Sequence, residues 1–156
     1  MKIFLIIFSI IYLSLSFSAF SLEKGKWSFV KTDEYCYVGS LAIETDLPPE
    51  KIRGDYYILV YKNIGDTETV IQIEAGYDYK LGSKINVQID KGNYQFYTTE
   101  DLQGAAWTEE DKKVIYAMKK GLKLKVTGQS TRGTITNDIY TLKGFTASVN
   151  KLEADC

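Results

Sequence analysis

The acidic side chains around Trp107 are the first group in this sequence that could carry out a reaction. Two carboxyl groups beside an aromatic ring are what a glycoside hydrolase needs, provided that their separation in space is right. Thr108 and Asp111 also have the spacing of a helix N-cap and its third residue, which explains part of the acidic run without catalysis. A carboxylate-based hydrolase of polysaccharide is therefore the alternative hypothesis, with three candidate acids: Glu100, Asp101 and Glu109.

The sequence contains no histidine, which removes the commonest general base and metal ligand. Ser-His-Asp and Cys-His catalysis and ordinary zinc enzyme sites are thereby excluded. Residues 130–134 are rich in hydroxyl groups, as a phosphate-facing turn or a serine nucleophile would be. No glycine-rich strand-to-helix pattern accompanies them, so a hairpin turn is the better interpretation. We predict no catalytic residue, no metal site and no cofactor.

Residues 1–21 have the pattern of a secretory signal peptide. Lys2 precedes an apolar run from Ile3 to Phe20, and small residues at 19 and 21 suit cleavage after Ser21. An uncleaved membrane anchor is the alternative, because the run is close to a spanning length. We therefore predict an exported protein, in the periplasm first and on the outer-membrane surface or secreted as alternatives. No membrane span is expected after cleavage.

Charge argues against one class of partner. Lys2 is the only charged residue before position 22, so residues 22–156 carry a formal net charge of −2. Nucleic-acid binding needs a concentrated basic face, and we predict none. The adjacent Lys119 and Lys120 are interpreted as partners of a helix dipole at the end of a helix over 108–120.

Two cysteines, Cys36 and Cys156, stand near opposite ends of the exported part. In an oxidising compartment an isolated pair is expected to form a disulfide. A redox or metal pair is the alternative, but C-x-x-C spacing is absent. The disulfide would close a loop of about 120 residues, for which chain entropy gives roughly 4–5 kcal/mol of stabilisation.

Short apolar or alternating segments recur between turn residues at 10–14-residue spacing along residues 22–156, which predicts a β-sandwich in one domain. The segment 56–61 has no polar alternation and predicts a central strand buried on both faces. The helix over 108–120 is expected to begin at a Thr108 N-cap and to stop at a left-handed Gly121. A short closing helix over 143–153, capped by Thr141, would bring Cys156 to the strand that holds Cys36.

Nine of the twelve tyrosines lie between residues 35 and 97. Tyrosine supplies stiff, amphipathic contact area, so this composition could mark a binding surface. Half-buried strands also favour tyrosine, and that explanation is the simpler one.

Several motifs together resemble the invasion-associated locus B family of exported bacterial proteins. They follow one another in order over nearly all of residues 22–156, as Cys36-Tyr37-Val38 with Ser40, Arg53-Gly54 leading to Tyr57, Ala117–Gly121, Val126–Thr134, Asp138–Ala147 and the terminal Cys156. The resemblance implies a Gram-negative envelope protein with an immunoglobulin-like β-sandwich fold and no catalytic residues to carry over. Its disulfide topology is inferred from this sequence, because other members place two cysteines close together near the N-terminus.

The leading hypothesis is a non-enzymatic envelope-associated module that binds a protein or another envelope component. Tyr37, Tyr57, Arg53 and Arg132 are the candidate interaction residues. The alternative hydrolase would act on envelope polysaccharide. An invasion or virulence role is a third hypothesis that depends on a host-associated source.

Overall fold

The computed structural model describes residues 21–156, so the predicted signal peptide lies outside them but for its last residue. These residues form two five-stranded antiparallel sheets, with strand orders β1-β2-β4-β5-β8 and β3-β10-β9-β6-β7. The strands are β1 Ser28–Lys31, β2 Tyr35–Leu41, β3 Glu44–Thr45, β4 Tyr57–Asn63, β5 Val70–Glu74, β6 Ile85–Ile89, β7 Gly92–Phe96, β8 Ala105–Ala106, β9 Lys123–Gln129 and β10 Ile135–Thr141. The helices are α1 Asp111–Lys120, α2 Phe145–Asp155 and a short 3-10 helix Glu100–Leu102.

The core lies between the sheets, and alternation along each strand fills it. In β6, Ile85 and Val87 are fully buried while the intervening Asn86 is half-exposed. Ile58 of β4, in the first sheet, and Leu124 of β9, in the second, belong to the same hydrophobic core cluster. The predicted mainly β sandwich with two helices is confirmed.

The prediction that β4 is buried on both faces is wrong. Ile58 and Val60 are fully buried, but Tyr57, Leu59 and Tyr61 are half-exposed. The strand is central, between β2 and β5. No layer covers the outer side of this sheet among the described residues, so only one face of β4 reaches the core.

Helix α1 begins at Asp111, three residues later than the predicted cap. Thr108 is not the N-cap. Its Oγ1 accepts a hydrogen bond from the backbone N–H of Glu110 at 3.2 Å, which closes a turn before the helix. Asp111 turns its carboxylate away from the helix, and Oδ1 accepts the Ile71 N–H at 2.7 Å. The acidic run is therefore partly used to attach α1 to β5.

Gly121 ends α1 in an extended conformation, with φ −82°, and not in the predicted left-handed one. Glycine is required at this position because the surrounding side chains leave no space for a Cβ atom. A Cβ at this position would lie 2.7 Å from Ile89 Cγ2 and 3.0 Å from Leu142 Cδ1.

Helix α2 begins at Phe145, and the left-handed Gly144, with φ +86°, takes the N-cap position predicted for Thr141. Strand β10 continues through Thr141, whose Oγ1 accepts the Lys143 N–H at 3.2 Å in the intervening turn. The apolar stripe of the helix is buried as predicted. The Phe145 ring packs edge-on against Trp27, with the ring centroids 4.8 Å apart.

The predicted disulfide is confirmed. Cys36 of β2 is bonded to Cys156 at the end of α2, with their Cα atoms 6.0 Å apart and a sequence separation of 120. Cys36 is fully buried on the inner side of the first sheet, so the bond fixes α2 against that side.

Candidate functional site

A row of aromatic and aliphatic side chains crosses the outer side of the first sheet. Tyr37 of β2 lies directly opposite Tyr61 of β4. The row continues to Val30 on β1 and to Val70 on β5. Neighbouring strands are about 4.8 Å apart, so the four side chains form a continuous ridge. All four are half-exposed.

A second row runs beside the first, where Leu41 lies opposite Tyr57 and Gly39 opposite Leu59. We call the combined surface the tyrosine face. Its aromatic and aliphatic members are Val30, Tyr35, Tyr37, Leu41, Tyr57, Leu59, Tyr61 and Val70, and Ser28, Gln72 and Glu74 lie on the same side of the sheet. Tyr35 is the most open of its tyrosines, at 40% exposed. Burial raises the pKa of Tyr37, with a smaller contribution from Tyr35, so its phenol stays neutral at physiological pH.

A recess of about 440 Å³ borders the tyrosine face next to β5. Tyr61, Leu102 and Trp107 line it together with Gln72 and Glu74. The Gln72 amide donates to Glu74 Oε1 at 2.7 Å. The recess gives the tyrosine face an indole at its edge.

The described chain begins on the tyrosine face. A Cβ at Gly39 would lie 2.7 Å from Leu22 Cδ2 and 2.7 Å from Leu59 Cδ2. Leu22 therefore packs over Gly39 beside Leu59. The next residue is also fixed, because Glu23 C=O accepts the Leu41 N–H at 3.2 Å.

The outer side of the second sheet has the opposite chemistry. We call it the amide face. Its polar members are Asn86, Gln88, Asn93, Gln95, Lys125, Thr127 and Asn137, and Ile135 and Ile139 of β10 lie on the same side. Its side chains bond to one another. Gln95 Nε2 donates to Asn86 Oδ1 at 3.0 Å, and Thr127 Oγ1 donates to Asn137 Oδ1 at 2.7 Å. The two outer faces thus differ, because aromatic and aliphatic side chains predominate on the first and polar ones on the second.

The three candidate acids do not share one groove. Glu109 lines a groove of about 400 Å³ with Glu110 and Asp111. Glu100 and Asp101 do not line it and are exposed on the short 3-10 helix. Burial raises the pKa of Asp111, and its hydrogen bonds to backbone N–H groups oppose the shift. Glu68 lines the groove as well, but only one of the three candidate acids does, so the predicted acids are not brought together there.

Arg53 is buried and paired. Its guanidinium forms a two-pronged ion pair with Asp138, in which Nη1 donates to Oδ2 at 2.9 Å. The same Nη1 donates to the Ala75 C=O at 3.0 Å, and Nη2 donates to Thr45 Oγ1 at 2.9 Å. Burial lowers the pKa of Arg53, but the hydrogen bond and charge of Asp138 outweigh that and raise it.

The guanidinium also lies over the Tyr56 ring, 3.6 Å from its centroid. With 5% of its side chain exposed, Arg53 holds the proline-containing loop onto the second sheet. It does not present its charge to a partner.

Arg132 is exposed in the turn between β9 and β10. It lines a groove of about 800 Å³ that Arg53 also borders. Lys51, on the opposite wall, donates to Thr134 Oγ1 at 3.2 Å. The candidate interaction residues therefore occupy two places, with Tyr37 and Tyr57 on the tyrosine face and the two arginines at this groove.

Residues 21–156 contain no cluster of three side chains placed to hold a metal ion. In the same residues, no helix has both the length and the apolarity to span a bilayer.

Comparison with known proteins gives two matches of interest. The model of the family described as invasion associated locus B (IalB) protein matches residues 33–153. The crystal structure of invasion associated protein b from Bartonella henselae matches with a TM-score of 0.59 at 17% identity. The alignment covers 84% of this chain and 94% of that chain, and at this identity it shows the fold. No curated protein sequence matches the chain.

Proposed function

Because this chain belongs to the invasion associated locus B (IalB) protein family, we propose that it is an exported, non-enzymatic envelope protein that binds a protein or another envelope component. The tyrosine face is the binding surface. Export is supported by the pattern of residues 1–21 and by the disulfide, since such bonds form in oxidising compartments.

One observation carries the proposal, namely the contrast between the two outer faces. The row from Val30 through Tyr37 and Tyr61 to Val70 leaves aromatic and aliphatic area open to solvent. Contiguous apolar patches on a protein surface mark interaction sites, and tyrosine is enriched in them. The amide face exposes mostly amide, hydroxyl and ammonium groups, some of which bond to one another, and such polar groups favour water.

The hydrolase is the weaker candidate, because Glu100 and Asp101 lie outside the groove that Glu109 lines. The family and the Bartonella protein are both called invasion associated, and neither name assigns that role to this chain. We do not extend an invasion role to this chain.

Site-specific photocrosslinking in cells tests the proposal. A benzophenone amino acid replaces Tyr37 on the tyrosine face, or Asn86 on the amide face as a matched control, since both are half-exposed strand residues. We expect a specific crosslinked species from position 37 and none from position 86. Absence of any specific adduct at 37, or the same adducts from both positions, would count against the tyrosine face as a binding surface.

A further inference from the structure

The N-terminal apolar segment joins the fold on the tyrosine face without a spacer. Leu22 packs over Gly39 beside Leu59, as the 2.7 Å approaches show. Successive Cα atoms are about 3.8 Å apart, so the residue before Leu22 is already at the border of this face. Residues 3–20 contain no charged side chain, and a segment of this length and apolarity is compatible with a bilayer.

We propose that the tyrosine face docks against the headgroup region of a lipid bilayer, an inference that rests on the binding function proposed above. When residues 3–20 lie in the bilayer, the attachment at Leu22 holds this face next to the membrane surface. The processed protein begins at Leu22, which lies on the tyrosine face. The same face is therefore next to the membrane surface when the chain is cleaved.

The side chains of the tyrosine face suit that environment. Tyrosine and tryptophan favour the membrane–water interface, because an apolar ring and a polar group sit on one side chain. Four tyrosines lie on this face, and Trp107 borders it in the recess beside Tyr61. Burial, with the nearby carboxylates of Glu74 and Asp55, raises the pKa of Tyr57, so its phenol enters the interface uncharged.

The remainder of the sandwich agrees with this orientation. The amide face lies on the opposite side, where Gln95, Asn86 and Lys125 point to water. The two helices pack on the inner side of the first sheet, because α2 is bonded to the inward-facing Cys36. Leu22 lies over the tyrosine face at Gly39.

The test measures which face approaches the lipid. The full chain is expressed with its N-terminal segment, and the form recovered from the cell envelope is mixed with phosphatidylcholine vesicles. These vesicles carry nitroxide-labelled headgroups, which quench nearby indoles. The chain has two tryptophans, of which Trp27 is 6% exposed and buried in the core. Trp107 is therefore the reporter for the tyrosine face.

Two variants provide the controls. Trp107→Phe leaves only Trp27 and reports the unquenched core. Trp107→Phe combined with Gln95→Trp moves the indole to an exposed position of the amide face. We expect loss of most of the Trp107 emission and little change in either variant. This readout applies to the processed protein and to a form that retains residues 1–20.

A second measurement uses the processed protein, identified by its intact mass, in vesicle co-sedimentation. Tyr37→Ser with Tyr61→Ser should weaken partitioning about tenfold, through the loss of two interfacial rings. Asn86→Ser with Gln95→Ser should leave it unchanged. If the serine variant does not fold, Tyr37→Phe with Tyr61→Phe, which keeps both rings, is measured in its place.

Three results would overturn the inference. The first is a Trp107 signal that vesicles do not quench, and the second is equal quenching of the indole at position 95. The third is a dimer that the tyrosine-to-serine variant dissociates, which would assign the face to a second copy. A specific protein adduct at position 37 without lipid quenching would refute the lipid inference and leave the proposed binding function in place.

Discussion

The Arg53 guanidinium donates hydrogen bonds to both carboxylate oxygens of Asp138, which lies 85 positions later in the sequence. The two side chains are only 5% and 4% exposed. The pair joins the loop before β4 to the centre of β10. It thereby fixes one wall of the groove that Arg132 lines.

Breaking this pair should destabilise the fold strongly. Arg53→Met leaves the Asp138 carboxylate buried without its cation, and the loss of one buried partner typically costs about 3–5 kcal/mol. Urea unfolding measures the change. Arg53→Met combined with Asp138→Leu should recover most of the loss, because neither charge then remains in the interior.

The exposed pair between Lys113 and Glu110, at 2.7 Å with side chains 64% and 49% exposed, is the matched control. Lys113→Ala should leave the free energy of unfolding almost unchanged, because exposed ion pairs contribute little. Equal effects of Arg53→Met and Lys113→Ala would contradict the structural role of the buried pair.

Two neighbouring tyrosines should respond differently to loss of the hydroxyl. Tyr79 is fully buried, and its hydroxyl has no hydrogen-bond partner among the described residues. Tyr77 shares a 2.8 Å hydrogen bond with Thr136. Tyr79→Phe should therefore leave stability unchanged or raise it, whereas Tyr77→Phe should lower it by about 1 kcal/mol. A larger loss from Tyr79→Phe would show that its hydroxyl has a partner.

Alkaline pH should destabilise the protein through Tyr79 and Tyr140. Burial raises the pKa of both phenols well above their usual value of 10.0. The unfolded chain therefore releases these protons first, so stability is fully present below pH 10 and falls as the pH rises beyond it. Each phenol contributes a slope of up to about 1.4 kcal/mol per pH unit.

Denaturant melts between pH 8 and pH 11 measure this dependence. Tyr79→Phe should remove its own contribution of up to about 1.4 kcal/mol per pH unit above pH 10 and leave the behaviour below pH 9 unchanged. An unaltered slope in that variant would assign the alkaline loss to other groups.

Reduction of the Cys36–Cys156 bond should lower stability by about 4–5 kcal/mol, because the bond closes a very long loop of the unfolded chain. Denaturant unfolding with and without reductant gives the difference, and Cys36→Ser with Cys156→Ser should match the reduced protein. Thiol labelling of the unfolded, unreduced protein should detect no free cysteine. Two labelled thiols would refute the bond in the native protein.

Local patterns accounted for much of the architecture. Alternation placed Ile85, Val87 and Ile89 on the buried face of β6, because a strand turns successive side chains to opposite sides. Cysteine number and compartment were enough to pair Cys36 with Cys156. The helix boundaries were less accurate, because Thr108 and Thr141 both suit a cap and both close a preceding turn instead.

Composition and local spacing were sufficient to predict the sandwich, the disulfide and the abundance of tyrosine. The positions of those tyrosines on the surface depended on long-range packing. The segment 57–61 is apolar at every position, so its pattern cannot say which side faces solvent. The packing of the second sheet and both helices on one side of β4 decided it, because the other side then remained uncovered. Likewise, no local signal joins Arg53 to Asp138, since only long-range strand pairing brings a loop and a strand together across 85 residues.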